Sequence, residues 1–474
     1  MPVRLSEEKG RAIEALALNG VRVLPYRNRY LPDFEAKHAI GFISQHPEWL
    51  ESNYAKELAS GKRARNEQVG GSGLEKSLDR LLRGAGPTAV SYFIDGQRAP
   101  LHGLDMRLTQ SGSRYYPLQV WTTLDLAMQN ALEAYADEQR LQKGAIVVLD
   151  ARNADIVAMV SRPRLMIGQF RSSDGSDWAN HALRAVEPGS IFKLVTGAAA
   201  LEAGVVGKHE TFHCDGEYGK YGLSCWKEGG HGTLTLEEGL AQSCNIVFAT
   251  IAERLQADQL KLVASALGVG QQVGWHRDKP FGPFNQPLRL LEEEEAGRLF
   301  AAGVPVDGGV MAQSGIGQRD VRMSPLQAAN LIVTLLNEGR VMEPRLVSEI
   351  RYAGGQRMVK LPVQRAHGPR GRIKPATARA LLRGMEAVID HGTGRSIRRG
   401  SWAVAGKSGT AETVTAGAAR NHQWFAGYGP AASPRYAVAV LAADRPPGSA
   451  HQATRLFRGV MDIVAREEAK RLQQ

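Results

Sequence analysis

The sequence predicts an α+β protein in which an antiparallel sheet is flanked by helices, joined to a smaller mixed N-terminal domain. Three observations carry that expectation. A continuous apolar run at Ala145–Leu149, a turn at Asn153-Ala154-Asp155 and a second apolar run at Ile156–Val160 read as a buried hairpin. Further strand-like stretches, Trp402–Ala405, Trp424–Tyr428 and Tyr436–Ala443, lie near the other end of the chain. Helical stretches fill the interval, and strands at both ends with helices between suggest one antiparallel sheet covered by a helical layer.

Taken in order, residues 1 to 117 begin with a short amphipathic helix around Glu7–Leu18 and a strand-like Val21–Pro25. A polar, basic middle follows, containing Gly61–Gly73, and no catalytic signature appears. Leu108–Tyr116, with Ser111-Gly112-Ser113, reads as a linker, so the expected division is a non-catalytic module at 1–117 and the main domain at 118–474. Gln119–Asp125 is strand-like and leads into a helix at Leu126–Gln142. Ser190 follows Pro188-Gly189 and opens an apolar helical run, Ile191–Val206. A second helical pattern, Leu236–Leu255, starts with Thr235 and Glu238 spaced as a capping box and is interrupted at Ser243-Cys244-Asn245. Glu292–Glu295 read as a solvated helix face.

At 474 residues the chain is too long for one ordinary domain. With 43% apolar residues, 23% charged and 52 glycines, it is a folded, loop-rich globular composition. A formal charge of +11 and a pI near 9.6 favour anionic surroundings. The basic residues form no stripe interleaved with aromatics, which argues against nucleic acid as a partner. Three cysteines exclude a disulfide scaffold and any four-cysteine zinc site. Cys214 and Cys225 flank a glycine-rich loop, leaving one bridge or free thiols open, and the sequence prompts no metal or cofactor assignment. No run approaches the roughly 18 apolar residues of a membrane span, and Met1–Gly10 is polar. The chain thus reads as soluble, with any export signal or anchor lying outside it.

Three short stretches carry chemistry. Ser-x-x-Lys occurs at Ser6, Ser190 and Ser224, but only Ser190 opens a buried helix. There Lys193 falls on the same face, where it can take the serine's proton, and unpaired backbone N–H groups stabilise charge on a carbonyl oxygen. Burial among Phe192, Leu194 and Val195 is expected to lower the lysine's pKa. Ser243 and Asn245, a hydroxyl and an amide two residues apart between apolar helices, suit proton relay and peptide binding. Lys407-Ser408-Gly409-Thr410 offers a cation and two hydroxyls for a carboxylate. Its glycine lets a substrate backbone lie along an edge strand, and the N–H of Thr410 is a candidate second oxyanion donor. Gly400–Ser408 imitates a phosphate-binding loop but places five residues, Ser401–Ala405, where that loop needs four. His391-Gly-Thr-Gly-Arg-Ser396 is likewise a lone glycine turn.

In this order the motifs resemble the class B penicillin-binding proteins, the monofunctional peptidoglycan D,D-transpeptidases. Gly144–Asp150, Glu187–Ser190, Gly230–Thr233, Ser314–Gln318, Met323–Gln327 and Trp424–Tyr428 look like further landmarks of that family, strongly over 118–474. Tyr26–Phe42 and Gly71–Glu75 are similar, more loosely, to its N-terminal module. Arg319 stands where the family usually has glycine, and Ser408 where threonine is commoner.

The resemblance implies a penicillin-binding transpeptidase fold with a pedestal or dimerisation-like N-terminal module, and a serine acyl-enzyme. Ser190 attacks, Lys193 takes its proton, Ser243 passes a proton to the leaving amine, Asn245 holds the peptide, and Lys407, Ser408, Gly409 and Thr410 bind its terminus. Implied partners are peptidoglycan stem peptides, β-lactam antibiotics and a glycosyltransferase of wall synthesis, at the outer face of the bacterial cytoplasmic membrane. D,D-carboxypeptidases and serine β-lactamases share the three motifs but hydrolyse, and a non-catalytic β-lactam sensor is the alternative of another class. No clearly placed glutamate for deacylation and the long interval from Ser243 to Lys407 favour the transpeptidases.

Overall fold

The structure, a computed structural model, describes residues 5–18, 21, 23–24, 30, 35–84, 89–99, 101, 104, 107–109, 113–167, 178–207, 209–366 and 372–473. Its centre is a five-stranded sheet of β1 (Gly144–Asp150), β2 (Ile156–Arg162), β3 (Ala405–Thr415), β4 (Ala418–Gly429) and β5 (Tyr436–Arg445). The strand order is β3-β4-β5-β1-β2, antiparallel throughout, with Val147 opposite Ala439 and Lys407 opposite Ala426.

β1 is a continuous apolar run because both faces of the sheet are covered. Ile146 and Val148 pack with Met128 and Leu132 of α1 (Leu126–Glu138) and with Leu456, Phe457 and Val460 at the chain's last helix. Ala145, Val147 and Leu149 point the other way. They share a core with α2 (Lys193–Ala203), α3 (Leu236–Ala241), α4 (Asn245–Glu253), α5 (Pro325–Leu336) and α6 (Pro375–Asp390); the last helix is α7 (Gln452–Gln473). The expected single helical layer is therefore two, one on each face.

The hairpin, Trp424–Tyr428 and Tyr436–Ala443 all fall in the sheet. Trp402–Ala405 does not: Trp402 stacks on Tyr436, ring centroids 6.2 Å apart, and the chain joins the sheet only at Ala405. β3 then continues to Thr415, carrying the whole Lys407–Thr410 stretch on the sheet's edge. The helix expected at Leu126–Gln142 ends at Glu138.

Glu292–Glu295 form no helix, and Glu294 is buried. Its carboxylate accepts from the backbone N–H groups of Val273 (2.6 Å) and Gly274 (2.8 Å), while Glu293 accepts from Gly73 N and Glu295 from Ala185 N. The run reads as solvated because its partners are backbone groups distant in sequence.

Near the start, a helix at Glu7–Ala15 is capped by Ser6, and Ile43–Gln45 pairs with Gln68–Gly70 over Leu50, Tyr54 and Val69. Of the strand-like Val21–Pro25, the described Val21, Val23 and Leu24 lie in no strand, while Arg22, Pro25, eight residues of Tyr26–Phe42 and Ser111-Gly112 of the linker fall outside the described residues. Gln119–Thr122 pairs with Val347–Arg351. Among the described residues no helix is long and apolar enough to cross a membrane.

Candidate active site

Gly189–Phe192 forms a 3-10 turn that feeds α2, so Ser190 stands just ahead of the α-helix and Lys193 on its first position. The turn is possible because residue 189 is glycine: its φ is +53°, and a methyl group there would overlap the carbonyl oxygen of Thr410. Ser190 is thereby pressed against the middle of β3.

Lys193 is completely buried, beside the Phe248 ring. Its Nζ donates to Ser243 O (2.7 Å) and Asn245 Oδ1 (2.8 Å) and lies 3.4 Å from Ser243 Oγ. Burial pushes the amine down to about 7, with Cys244 and Cys225 opposing that shift. Two contacts within 3 Å occupy the two N–H groups of a neutral amine and leave its lone pair free. Among the described residues no hydrogen bond joins Ser190 Oγ to Lys193 Nζ in this resting arrangement.

The Thr235–Glu238 capping box forms as expected, and α3 ends at Ala241. Ser243 then takes φ +54°, a left-handed conformation uncommon for serine, which turns the chain into α4 at Asn245. Asn245 is fixed at both ends of its amide, accepting from Lys193 and donating through Nδ2 to Ser224 O at 3.0 Å.

Lys407 is also fully buried and lies beneath the cleft. Its Nζ donates to Ser243 Oγ (2.8 Å) and to Ser408 O (2.9 Å). Desolvation first, and Lys193 second, hold its amine well below its usual value. Ser408 faces Thr393, Oγ to Oγ1 2.8 Å, and the carbonyl of Gly409 lies 3.1 Å from His451 Nε2. Thr410 is exposed.

Ser190, Ser243, Asn245, Ser408, Gly409 and Thr410 line one cleft of about 1010 Å³. All three stretches singled out in the sequence therefore meet, with Lys193 and Lys407 under its floor. The cleft adds residues that the motifs did not flag: Trp226 and Thr393 on loops, and His451 just ahead of α7. Thr393 belongs to the glycine turn set aside as lone, and its hydroxyl spacing to Ser408 has no local sequence signal. Arg319 has φ +61°, a backbone conformation that glycine adopts freely.

Residues 144–462 match the family model described as the penicillin binding protein transpeptidase domain, and residues 4–98 the penicillin-binding protein dimerisation domain. Stage V sporulation protein D of Bacillus subtilis is 29% identical over 459 residues, spanning 94% of this chain and 64% of that protein. The peptidoglycan D,D-transpeptidase MrdA of Acinetobacter baumannii is 27% identical, over 89% of this chain and 64% of that protein. The chain thus spans about two thirds or less of these relatives' length.

Among solved structures, the penicillin G acyl-enzyme complex of penicillin-binding protein A from M. tuberculosis aligns with a TM-score of 0.57. It is 26% identical and covers 73% of this chain and 80% of that one. A structure titled for the coordination of polymerization and crosslinking by a peptidoglycan synthase complex aligns at 0.70. It is 25% identical and covers 97% of this chain and 80% of that one. With the matched model covering most of the chain, the chain belongs to the penicillin-binding protein transpeptidase family.

Proposed function

We propose that this chain is a serine D,D-transpeptidase that cross-links peptidoglycan stem peptides through an acyl-enzyme and that penicillins acylate covalently. The observation that carries the reading is the meeting of Lys193 and Lys407 at Ser243, which ties three stretches distant in sequence into one proton path beside Ser190.

Ser190 Oγ attacks the carbonyl of the penultimate D-alanine, and its proton passes to the lone pair of Lys193. The N–H groups of Ser190 and Thr410 receive the developing oxyanion. The C–N bond breaks as the Ser243 hydroxyl protonates the leaving D-alanine amine, and Lys193 and Lys407, both within hydrogen-bond reach of Ser243 Oγ, restore that proton. Asn245 holds the peptide, and Ser408, Gly409 and Thr410 its carboxylate end. An amine of a neighbouring stem then attacks the ester, its proton returns through the same groups to Ser190, and the cross-link forms.

Residues 1–117 serve as a non-catalytic pedestal and 118–474 as the catalytic domain, a division supported by the pairing of Gln119–Thr122 with a strand of the main domain. The enzyme works at the outer face of the cytoplasmic membrane beside a polymerising glycosyltransferase. The test is covalent labelling by a fluorescent penicillin, expected for the wild type and lost in Ser190→Ala. Persistent labelling of the variant sinks the nucleophile assignment. A stem-peptide analogue given with and without an acceptor amine, and weighed by mass spectrometry, separates transfer from hydrolysis.

A further inference from the structure

His451 stands just ahead of α7 and lines the cleft beside Gly409 and Thr410. Its ring is held through both nitrogens. Nε2 lies 3.1 Å from the Gly409 carbonyl oxygen, which can only accept, so the ring proton sits on Nε2 and is donated there. Nδ1 is then the acceptor, receiving the backbone N–H of Thr454 at 3.3 Å and the Thr454 hydroxyl at 2.8 Å. Together these bonds select one neutral tautomer. Burial lowers the imidazole's pKa, the Gly409 carbonyl opposes that shift and Lys407 adds to it, so the neutral form prevails at neutral pH. With both nitrogens engaged, the ring has no free site at which to exchange a proton with substrate.

The segment that presents His451 is fixed to the strand position of Thr410. Gln423 of β4 is paired opposite Thr410. Its buried side chain accepts from Gln452 N through Oε1 at 2.6 Å and donates through Nε2 to the carbonyls of Ser449 and Ala450, each at 3.3 Å. One amide therefore clamps the residues on both sides of His451.

The Gly409 carbonyl and the Thr410 N–H belong to one planar peptide unit, so a bond that fixes the oxygen also fixes the direction of the N–H. β3 is the edge of the sheet, with a neighbouring strand on one side only. Residue 409 must be glycine, because an added methyl would stand 2.8 Å from Pro188 O and 3.0 Å from Ile191 Cγ1, on the two sides of Ser190. Close approach to the serine turn thus places the most pliable residue type directly before the Thr410 amide. A donor on the Gly409 oxygen restrains that unit and, by polarising it, strengthens the Thr410 N–H.

We propose that His451 is a positioning residue for the oxyanion site: its Nε2–H holds the Gly409–Thr410 peptide so that the Thr410 N–H is aimed at the carbonyl oxygen of the bound substrate. His451 touches no reacting atom and carries no proton in the reaction. It acts on the barrier to acylation rather than on docking, because charge develops on that oxygen only as Ser190 attacks. The inference rests on the acyl-transfer reading above.

The test uses the full chain and a fluorescent penicillin, with the limiting acylation rate constant resolved from the half-saturating concentration. His451→Leu removes the donor and keeps apolar bulk. Its limiting rate constant should fall about tenfold, less than the hundredfold or more for deleting an oxyanion donor outright, because the Thr410 N–H remains. Half-saturation should move by less than about twofold. His451→Gln, whose side-chain amide carries an N–H that can reach the Gly409 carbonyl, should return the rate constant to within about threefold of the wild type. A wild-type rate constant in His451→Leu overturns the role, as does a loss that His451→Gln does not repair or one confined to half-saturation. Thr454→Val covers the case in which the His451 variants fail to fold. It removes the hydroxyl bond to Nδ1, and should slow acylation about threefold at unchanged half-saturation; a wild-type rate constant there overturns the role. Ser190→Ala is treated in parallel. Labelling of that variant sinks the acyl-transfer reading, whereas an unlabelled Ser190→Ala beside an unimpaired His451→Leu sinks the His451 inference alone.

Discussion

Lys407 Nζ donates a 2.8 Å hydrogen bond to Ser243 Oγ from a fully buried position on the edge strand. The lysine therefore reaches the Ser243 hydroxyl from its buried side, while Ser408, Gly409 and Thr410 of the same strand line the cleft. Accepting from Lys407 leaves the Ser243 O–H free to donate toward a leaving amine.

Lys407→Met keeps length and removes the amine. Acylation by a fluorescent penicillin should fall about a hundredfold to a thousandfold, the range for losing one electrostatic donor. Stability should hardly move. The lost hydrogen bonds, about 1–3 kcal/mol each, are offset by relief of a buried amine's desolvation, which is several kcal/mol. Parallel labelling and thermal unfolding check the pair of outcomes; a large fall in Tm would assign Lys407 to structure.

Burial sets the pH profile. Lys193 is held near 7 against an ordinary 10.5, and only its neutral form has a lone pair for the Ser190 proton. The acylation rate should rise with pH through about 7 and level off above it. Stability follows the same sign. Between about 7 and 10.5 the unfolded chain binds a proton at this lysine that the folded chain does not, so its contribution to stability increases with pH across that window. Acylation rates from pH 5 to 9 and unfolding midpoints across the window measure both. An acylation rate that is flat from 5 to 9 removes Lys193 as the base.

The three stretches were legible because each combines unusual residue types at short spacing, and Ser190 was separable from Ser6 and Ser224 by the apolar helix it opens. The sheet was legible where strands are continuously apolar, as in β1. Long-range satisfaction was not: nothing local tells Glu294 that its carboxylate meets Val273 and Gly274, or Thr393 that it meets Ser408.

Gly189→Ala tests the approach of the serine turn to β3. The new methyl meets the Thr410 carbonyl, and φ +53° is unfavourable for alanine, so the turn and strand must part. Those are the segments carrying both proposed oxyanion donors. A loss of about 1–3 kcal/mol is expected, with acylation down about a hundredfold. Gly204→Ala is the control: φ is +67°, yet nothing lies within 4 Å of the added carbon. It should cost only about 1 kcal/mol and leave acylation unchanged.

Glu294→Gln separates the two readings of the acidic run. On a solvated helix face the change would be within about 0.5 kcal/mol, as expected for the exposed Glu292→Gln. Glu294 instead accepts two backbone N–H groups in a buried site, and glutamine keeps one acceptor oxygen while turning an NH₂ toward the other donor. One buried N–H is left facing another donor, which costs about 1–3 kcal/mol. Denaturant unfolding of the two variants side by side checks this. Because Val273 and Gly274 lie away from the cleft lining, acylation per folded molecule should stay at the wild-type rate, so that a loss of activity without a loss of stability would contradict a purely structural role for Glu294.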